Sequence, residues 1–300
     1  MPDAYDRITE TIVNKLEEGV CPWRRPWNRI AKLPCNYQSR REYSGINLFL
    51  LTMIAHEQPW FLTFRQVKEM GGSVKKGSKG YPIAYWGKHD VEDRNDPDKT
   101  KAVPFLKSYT VFNASQVDGI DFPALPQLDQ IDFRPLDRAE EVIQHWAGQP
   151  DLVHGYSKAC YSPHDDTVRM PSPPSFESVE SYYATLFHEF GHATGHEKRL
   201  NRDLSGTFGD TSYGKEELIA EMASAFLCAH CRIDNSTIDQ SAAYMSNWIK
   251  AIEQDNKLVV HAAGAARKAA EMVLGVERET RSEQQPQAAA VALAHAGRSR

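Results

Sequence analysis

Residues 178–195 read SVESYYATLFHEFGHATG, and this stretch decides the fold of the C-terminal half. Tyr182, Leu186, Phe190 and Ala193 are apolar at helical spacing, which predicts a buried helix, and Gly195 supplies its stop. On that helix His188-Glu189-Phe190-Gly191-His192 sets two imidazoles at i and i+4 on one face, where they can share one Zn2+. Glu189 lies between them, placed to act as general base toward a water that the metal activates. Five residues of this kind also arise by chance in long helices, so the pattern needs a third ligand.

Two spacings supply one. The longer pattern HExxHxxGxxH requires His at position 198, but that residue is Lys198; Gly195 fits, while His196 stands two positions early and is a lesser candidate. The alternative is a carboxylate from a following helix, and YGKEELIAEMA (213–223) offers Glu217 and Glu221, four residues apart on one face. One can ligate the metal while the other accepts the outer N–H of a ligand histidine. In zincins of the Glu type the ligand comes first, which assigns Glu217 to the metal and Glu221 behind it; the reverse assignment stays open. An exposed acidic face is the weaker account, because Ala220, Ala223 and Phe226 make the helix largely buried and a buried carboxylate needs a partner. Tyr213 is a possible donor to a tetrahedral oxyanion, or simply an aromatic at a helix entry. Cys228-Ala-His-Cys231 has no second cysteine pair and reads as core thiols rather than a second metal site.

The rest of the chain has a different character. Its 300 residues carry 41% hydrophobic and 25% charged residues, a globular composition that excludes wholesale disorder, a collagen-like repeat or a disulfide scaffold. The odd count of 5 cysteines, together with the polar opening MPDAYDRITE, predicts reduced thiols in the cytoplasm. No run approaches the ~18 apolar residues of a membrane span. The net charge of -5 argues against nucleic acid until the chain is divided. Residues 1–125 hold 18 Lys+Arg against 15 Asp+Glu, and the remainder holds 17 against 25. Residues 15–88 are sharper, with 13 basic and 5 acidic residues and 11 of the 30 aromatics, among them Trp23, Trp27, Trp60 and Trp86. Cations neutralise phosphates, and flat rings stack on unpaired bases. The plainer account is a small domain with an aromatic core and a solvated basic face.

Residues 4–18 predict an amphipathic helix from Ile8, Ile12, Val13 and Leu16, ended by Gly19. CPWRRPWNR (21–29) is an ordered loop, and an apolar helix begins at about Ile46. Thr63 and Gln66 have capping-box spacing for a short helix that Gly71-Gly72 ends. A Gly/Lys-rich loop then runs into a strand that reaches Trp86, and Leu106–Phe112 alternate as a second strand. The charged stretch 90–101 between them predicts a mobile insert, and the Pro-punctuated stretch 121–137 an interdomain connection. Residues 138–147 predict a helix and 167–170 a short strand; helices fill 178–194, 215–231, 236–253 and 257–274.

Residues 4–119 resemble the N-terminal single-stranded-DNA-binding domain of ArdC-type antirestriction proteins. The resemblance rests on YDRITETIVNKLEEG, the PWRRPW loop, YSGIN, TFRQVKEMGG, KKGSKG followed by YPIAYWG, and YTVFNASQ. The later half, with HEFGHATGHEKRLNR, the FGD turn and YGKEELIAE, resembles the zincin-like metallopeptidase domain fused to it, and minimal proteases that trim proteins off DNA. The resemblance implies an α+β protein of two domains. A small basic α+β single-stranded-DNA-binding domain covers 1–125, a linker 126–137, a mainly helical zincin-like metallopeptidase domain 138–278, and a disordered tail 279–300. It implies a plasmid-encoded protein that acts in the cytoplasm of a recipient bacterium during conjugation and shields incoming DNA from restriction enzymes. The same N-terminal domain occurs in plasmid primases of the TraC type, for whose primase module this chain leaves no room.

The expected site residues follow. His188, His192 and Glu217 hold one divalent metal, Zn2+ or Mn2+; Glu189 is catalytic; Glu221 supports a ligand or replaces Glu217; Tyr213 donates to an oxyanion. On the DNA side Arg24, Arg25, Arg40, Arg41, Lys75, Lys76 and Lys79 meet phosphates, and Trp23, Trp27, Tyr43 and Trp86 stack on bases. The expected partners are single-stranded DNA and a protein substrate, a restriction enzyme or another DNA-bound protein, with no membrane. Two rivals remain: a DNA-occluding protein whose metal is only structural, and a peptidase or toxin whose basic domain recognises protein.

Overall fold

In the computed structural model, residues 3–23, 32–53, 58–93, 96–125, 135–205, 211–236 and 242–276 are described. The first helix, α1 (Ala4–Glu17), starts at a reciprocal cap. The Asp6 backbone N–H donates to the Asp3 carboxylate at 2.8 Å, and the Asp3 N–H donates to the Asp6 carboxylate at 2.8 Å. Its apolar stripe Ile8, Ile12, Val13 and Leu16 is buried as the spacing predicts. Much of the cover comes from the far end of the chain, from α7 (Ala242–Gln254) and α8 (Leu258–Val273), and the rest from the strands around Ala84 and Leu106. Asn256 ties the junction: its side-chain amide donates to Asp6 at 2.6 Å, and its carbonyl accepts from the Thr9 hydroxyl at 2.7 Å. Each fully buried Ile or Leu of the stripe stabilises the fold by about 1.5–3 kcal/mol.

The N-terminal half continues with β1 (Cys35–Asn36), α2 (Ile46–Thr52), β2 (Trp60–Thr63), α3 (Phe64–Glu69), β3 (Ser73–Val74), β4 (Tyr81–Asp93), β5 (Asp96–Asn113) and β6 (Val117–Asp118). Four strands form a sheet of order β1-β2-β5-β4, parallel between β1 and β2 and antiparallel elsewhere, while β3 and β6 pair separately. Thr63 and Gln66 close the expected capping box of α3. The charged stretch 90–101, expected as a mobile insert, is paired in its described residues: both strands run on into it, with Asp90 opposite Ala102 and Glu92 opposite Thr100. A backbone ladder needs no apolar alternation to continue, and alternation was the only strand signal available there.

In the C-terminal half α4 (Pro135–His145) begins inside the stretch expected to be linker; proline fits a first helical turn, whose N–H has no intrahelical partner. The remaining linker positions 126–134 lie outside the described residues, as do 24–31, 237–241 and the expected tail 279–300. A three-stranded sheet of order β7-β9-β8 follows, made of β7 (Asp151–His154), β8 (Cys160–Ser162) and β9 (Thr167–Met170). Against it packs α5 (Val179–Ala193), and against α5 packs α6 (Thr211–Cys231). The protein is therefore α+β. One core contains Ile8, Ile12, Trp23 and Phe49 together with Leu218, Met222, Trp248 and Val259, so the two halves share apolar interior. No helix among the described residues is long and apolar enough to cross a membrane.

Candidate metal centre

Ser178 caps α5 by accepting the Ser181 N–H at 3.0 Å. Tyr182, Leu186, Phe187 and Phe190 bury one side of the helix against Val168 and Met170 of β9, with Phe190 edge-on to Trp146. The two histidines therefore turn toward α6. The helices meet closely at Gly191, where a Cβ would stand 2.9 Å from Ala220 Cα and 3.2 Å from Ala220 Cβ. Only a residue without a side chain allows this approach, and it brings Glu217, one turn before Glu221, up to the histidine pair.

His188 Nε2 and His192 Nε2 are 3.1 Å apart, and the Glu217 carboxylate lies 3.6 Å from the first and 3.4 Å from the second. Among the described residues these three side chains form the one group of metal-ligating type close enough to share an ion. The Nδ1 atoms face outward to further carboxylates: His188 Nδ1 is 3.5 Å from Glu221, and His192 Nδ1 is 3.4 Å from Glu216. Glu189 is buried, and its charge bears on both imidazoles.

The electrostatics follow from this crowd of carboxylates. Burial alone would lower the histidine pKa values. For His188 it is outweighed by the contact with Glu217 and by the charges of Glu221 and Glu189, so its pKa rises. For His192 burial is outweighed by Glu216 and Glu217, and the pKa rises to about 10. Burial would raise the carboxyl of Glu217, but the two histidines hold it far below the usual range. The pocket thus draws positive charge to the space between two imidazole Nε2 atoms and a carboxylate. A divalent cation satisfies the same field while leaving the imidazoles neutral, and N, N, O is a donor set of catalytic zinc sites. The residues fit such an ion.

Glu216 was not anticipated from the sequence. It sits about 100° around the helix from Glu217, off the face that Glu217 and Glu221 share. Arg202 holds it: Nε donates to Oε2 at 2.9 Å and Nη2 to Oε1 at 2.6 Å. The same guanidinium donates to the Gly191 carbonyl at 2.7 Å and the Thr194 hydroxyl at 2.9 Å, so it also closes the C-terminal end of α5. Gly195 leaves room for it, since a Cβ there would lie 3.0 Å from Arg202 Nη2. A signal was present in the paired glutamates of KEEL and the arginine of RLNR (199–202). What no pattern contained was the return of that arginine to the helix.

The remaining candidates separate. Tyr213 lies in the first turn of α6, four residues before Glu217. His196 is buried, its Nδ1 accepting the Lys198 N–H at 3.2 Å, and it is not in the metal-ligating group. Cys228 and Cys231 are core thiols, with burial pushing Cys231 up to about 12. Trp23 cannot be a stacking platform in this fold. It is 0% exposed, with its ring edge-on to Phe49 and Trp248 at 6.1 and 5.4 Å, because it fills the shared core. Tyr43 packs at the Phe61 ring, and burial pushes its phenol up to about 12. Trp86 is 39% exposed but rests on Tyr5 and His261. Arg40 covers the Tyr37 and Trp60 rings at 4.0 and 5.0 Å, while Arg41, Lys75, Lys76 and Lys79 are exposed. Lys75 donates to the Ser115 carbonyl. Arg24, Arg25 and Trp27 lie outside the described residues.

Two family models match the chain. The family model for the N-terminal domain of anti-restriction factor ArdC matches residues 2–112, and that for a zincin-like metallopeptidase matches residues 137–265. The chain is 35% identical over 305 residues to a DNA primase TraC of Escherichia coli, covering 95% of this chain but only 28% of the primase. It is 34% identical to the y4eC protein of Sinorhizobium fredii, covering 90% of this chain and 91% of that protein. Among solved structures, metal-free antirestriction ArdC from the R388 plasmid superposes with a TM-score of 0.71 at 35% identity, covering 90% of this chain and 96% of that one. Its Mn(II)-bound form gives 0.72 at 34% identity, covering 91% and 98%.

Proposed function

The chain belongs to the ArdC antirestriction family, and from that premise we propose that it binds single-stranded DNA and protects incoming conjugative DNA from restriction enzymes. We further propose that its C-terminal domain is a metal-dependent peptidase site acting on DNA-bound protein in the recipient cytoplasm. The observation that carries the peptidase reading is the convergence of His188, His192 and Glu217 on one point of the α5–α6 contact, with Glu189 buried between the histidines in sequence.

His188, His192 and Glu217 would hold the ion, Zn2+ or Mn2+. Bound there, it would supply Lewis-acid polarisation of a water and of the scissile carbonyl. With the ion bound, Glu221 and Glu216, 3.5 and 3.4 Å from the outer Nδ1 atoms, would accept their N–H groups and leave the Nε2 lone pairs of both imidazoles pointing inward. Glu189 takes a proton from the attacking water on its carboxylate and returns it to the leaving amine. Tyr213 donates its hydroxyl to the oxyanion that develops.

The test has two arms. Elemental analysis of the purified protein, beside His188→Ala, is expected to find one divalent ion per chain in the first and none in the second. A labelled single-stranded oligonucleotide is expected to bind with strong salt dependence. Equal metal content in both proteins, or no binding at low salt, would remove the corresponding half of the proposal.

A further inference from the structure

Of the aromatics that the sequence marks for base stacking, Trp23 is buried, Tyr43 packs on Phe61 and Trp86 rests on Tyr5 and His261, while the N-terminal sheet carries further rings. In the β4–β5 ladder Ile83 lies opposite Tyr109, Tyr85 opposite Lys107 and Gly87 opposite Phe105. Side chains alternate along a strand, so Tyr85, Phe105, Lys107 and Tyr109 share one face. The other face carries Ala84, Leu106 and Trp86 and is packed against the helices, with Trp86 keeping 39% exposure. Ala84 and Leu106 join the core shared by the two halves, and Trp86 meets Tyr5 and His261. Toward the base of the hairpin, Tyr81 and Ile83 pack on the cluster of Leu51, Phe61 and Val111. Beyond that cluster Tyr109 is 40% exposed and Lys107 exposed, while Tyr85 and Phe105 are half-buried.

The rings form a connected row. Tyr85 is edge-on to Tyr109 at 5.5 Å and tilted against Phe105 at 6.5 Å between centroids. The far end of the Phe105 ring reaches over Gly87, where a Cβ would come within 2.2 Å of it, so the glycine makes room for the ring. The Lys107 ammonium stands 4.8 Å from the Phe105 centroid. Among the described side chains of β4 and β5 there is no carboxylate, and exposed Lys79 precedes β4.

We propose that this face, Tyr85–Phe105–Tyr109 with Lys107, is the surface on which unpaired bases of single-stranded DNA stack; it rests on the DNA-binding reading above and gives that reading a location. Along the row the ring centroids stand 5.5 Å (Tyr85–Tyr109) and 6.5 Å (Tyr85–Phe105) apart, a spacing within reach of successive bases of an extended single strand. The exposed ammonium groups of Lys107 and Lys79 complement phosphate. A peptide adding as a further strand needs the free edge of β4. There Asn47 already bonds the Ala84 backbone in both directions, at 2.8 and 2.7 Å. Duplex DNA offers the rings no unpaired base to stack on.

The experiment is fluorescence anisotropy of a labelled oligothymidine with the full chain, compared with Tyr85→Ala/Tyr109→Ala and with Lys107→Ala. Loss of the two rings is expected to weaken binding at least about tenfold with little change in salt dependence. Lys107→Ala is expected to lower the slope of log affinity against log salt by about 0.7. Wild-type binding with an unaltered double variant overturns the location and leaves the DNA-binding reading standing. Absence of wild-type binding overturns both. Should the double variant fail to fold, photocrosslinking of a bromodeoxyuridine oligonucleotide to the wild-type chain decides. Adducts on Tyr85, Phe105 or Tyr109 are expected, and adducts confined to other segments overturn the proposal.

Discussion

Arg202 and Glu216 form a two-pronged ion pair behind His192, with donor–acceptor distances of 2.9 and 2.6 Å and both side chains largely buried. Burial would raise the Glu216 carboxyl, but Arg202 and then His192 outweigh it and hold it below the usual range. Arg202→Ala strands that carboxylate without its main partner, a change that costs on the order of 3–5 kcal/mol. Glu216→Gln keeps the shape and an acceptor but loses the charge, and is expected to be milder. For both, metal affinity is expected to fall about 10- to 100-fold, the usual consequence of losing a group that orients a ligand histidine. Thermal melts with and without added metal, beside a competitive chelator titration, measure the two effects separately.

Gly191 is the point at which α5 and α6 come together, and an added methyl would stand 2.9 Å from Ala220 Cα. That atom belongs to a helix backbone and cannot swing aside. Gly191→Ala is therefore expected to destabilise the protein by about 1–3 kcal/mol, despite the better helix propensity of alanine. It should also move Glu217 away from the histidines. Urea denaturation reads the first effect and metal stoichiometry the second. Unchanged stability would mean that the helices part without cost.

Much of this was legible in the sequence where a single element sufficed. Ile8, Ile12 and Leu16 marked their helix, Thr63 and Gln66 capped theirs, and helical spacing marked the His188–His192 pair and a following helix with Glu217 and Glu221, between which only the pattern of Glu-type zincins chose. Partners across long separations were not legible. The stripe of α1 carries no sign that α7 and α8 will cover it, and a buried Trp23 looks in sequence like any exposed tryptophan beside arginines. The row Tyr85–Phe105–Tyr109 depends on hairpin register, which the charged stretch between the strands hid. Glu216 depends on an arginine that returns from a loop.

Glu189 separates chemistry from metal holding. It is not in the His188–His192–Glu217 group, so Glu189→Gln is expected to retain the ion and the melting temperature. If the site is a peptidase, hydrolysis should fall by about 100-fold or more, the scale of a lost general base. Protection of incoming DNA can be measured in conjugation assays with the same variant. Full protection by Glu189→Gln, with metal bound, would show that occlusion of DNA rather than proteolysis defends it. Lost protection with intact DNA binding would place proteolysis in the mechanism.

The ion pair of Asp166 with Arg199 makes a pH prediction away from the metal. Arg199 also donates to the Ala193 carbonyl at 2.7 Å, so the pair ties β9 and its turn to the end of α5. Burial would raise the Asp166 carboxyl, but hydrogen bonds from Arg199 and Tyr161 and the charge of Arg199 outweigh it, and the pKa is lowered. A carboxyl with a lowered folded pKa contributes stability that is full above its unfolded value of about 3.9 and is lost as pH falls through the folded pKa. Asp166→Asn is expected to be less stable than wild type by about 1.5–3 kcal/mol at pH 7, as for a lost charged hydrogen bond. The difference should persist down to about pH 4 and shrink below it, as the wild-type carboxyl takes up its proton. Urea midpoints measured on both proteins across pH 3–7 test this. A difference that grew as the pH fell would carry the wrong sign for the assigned shift.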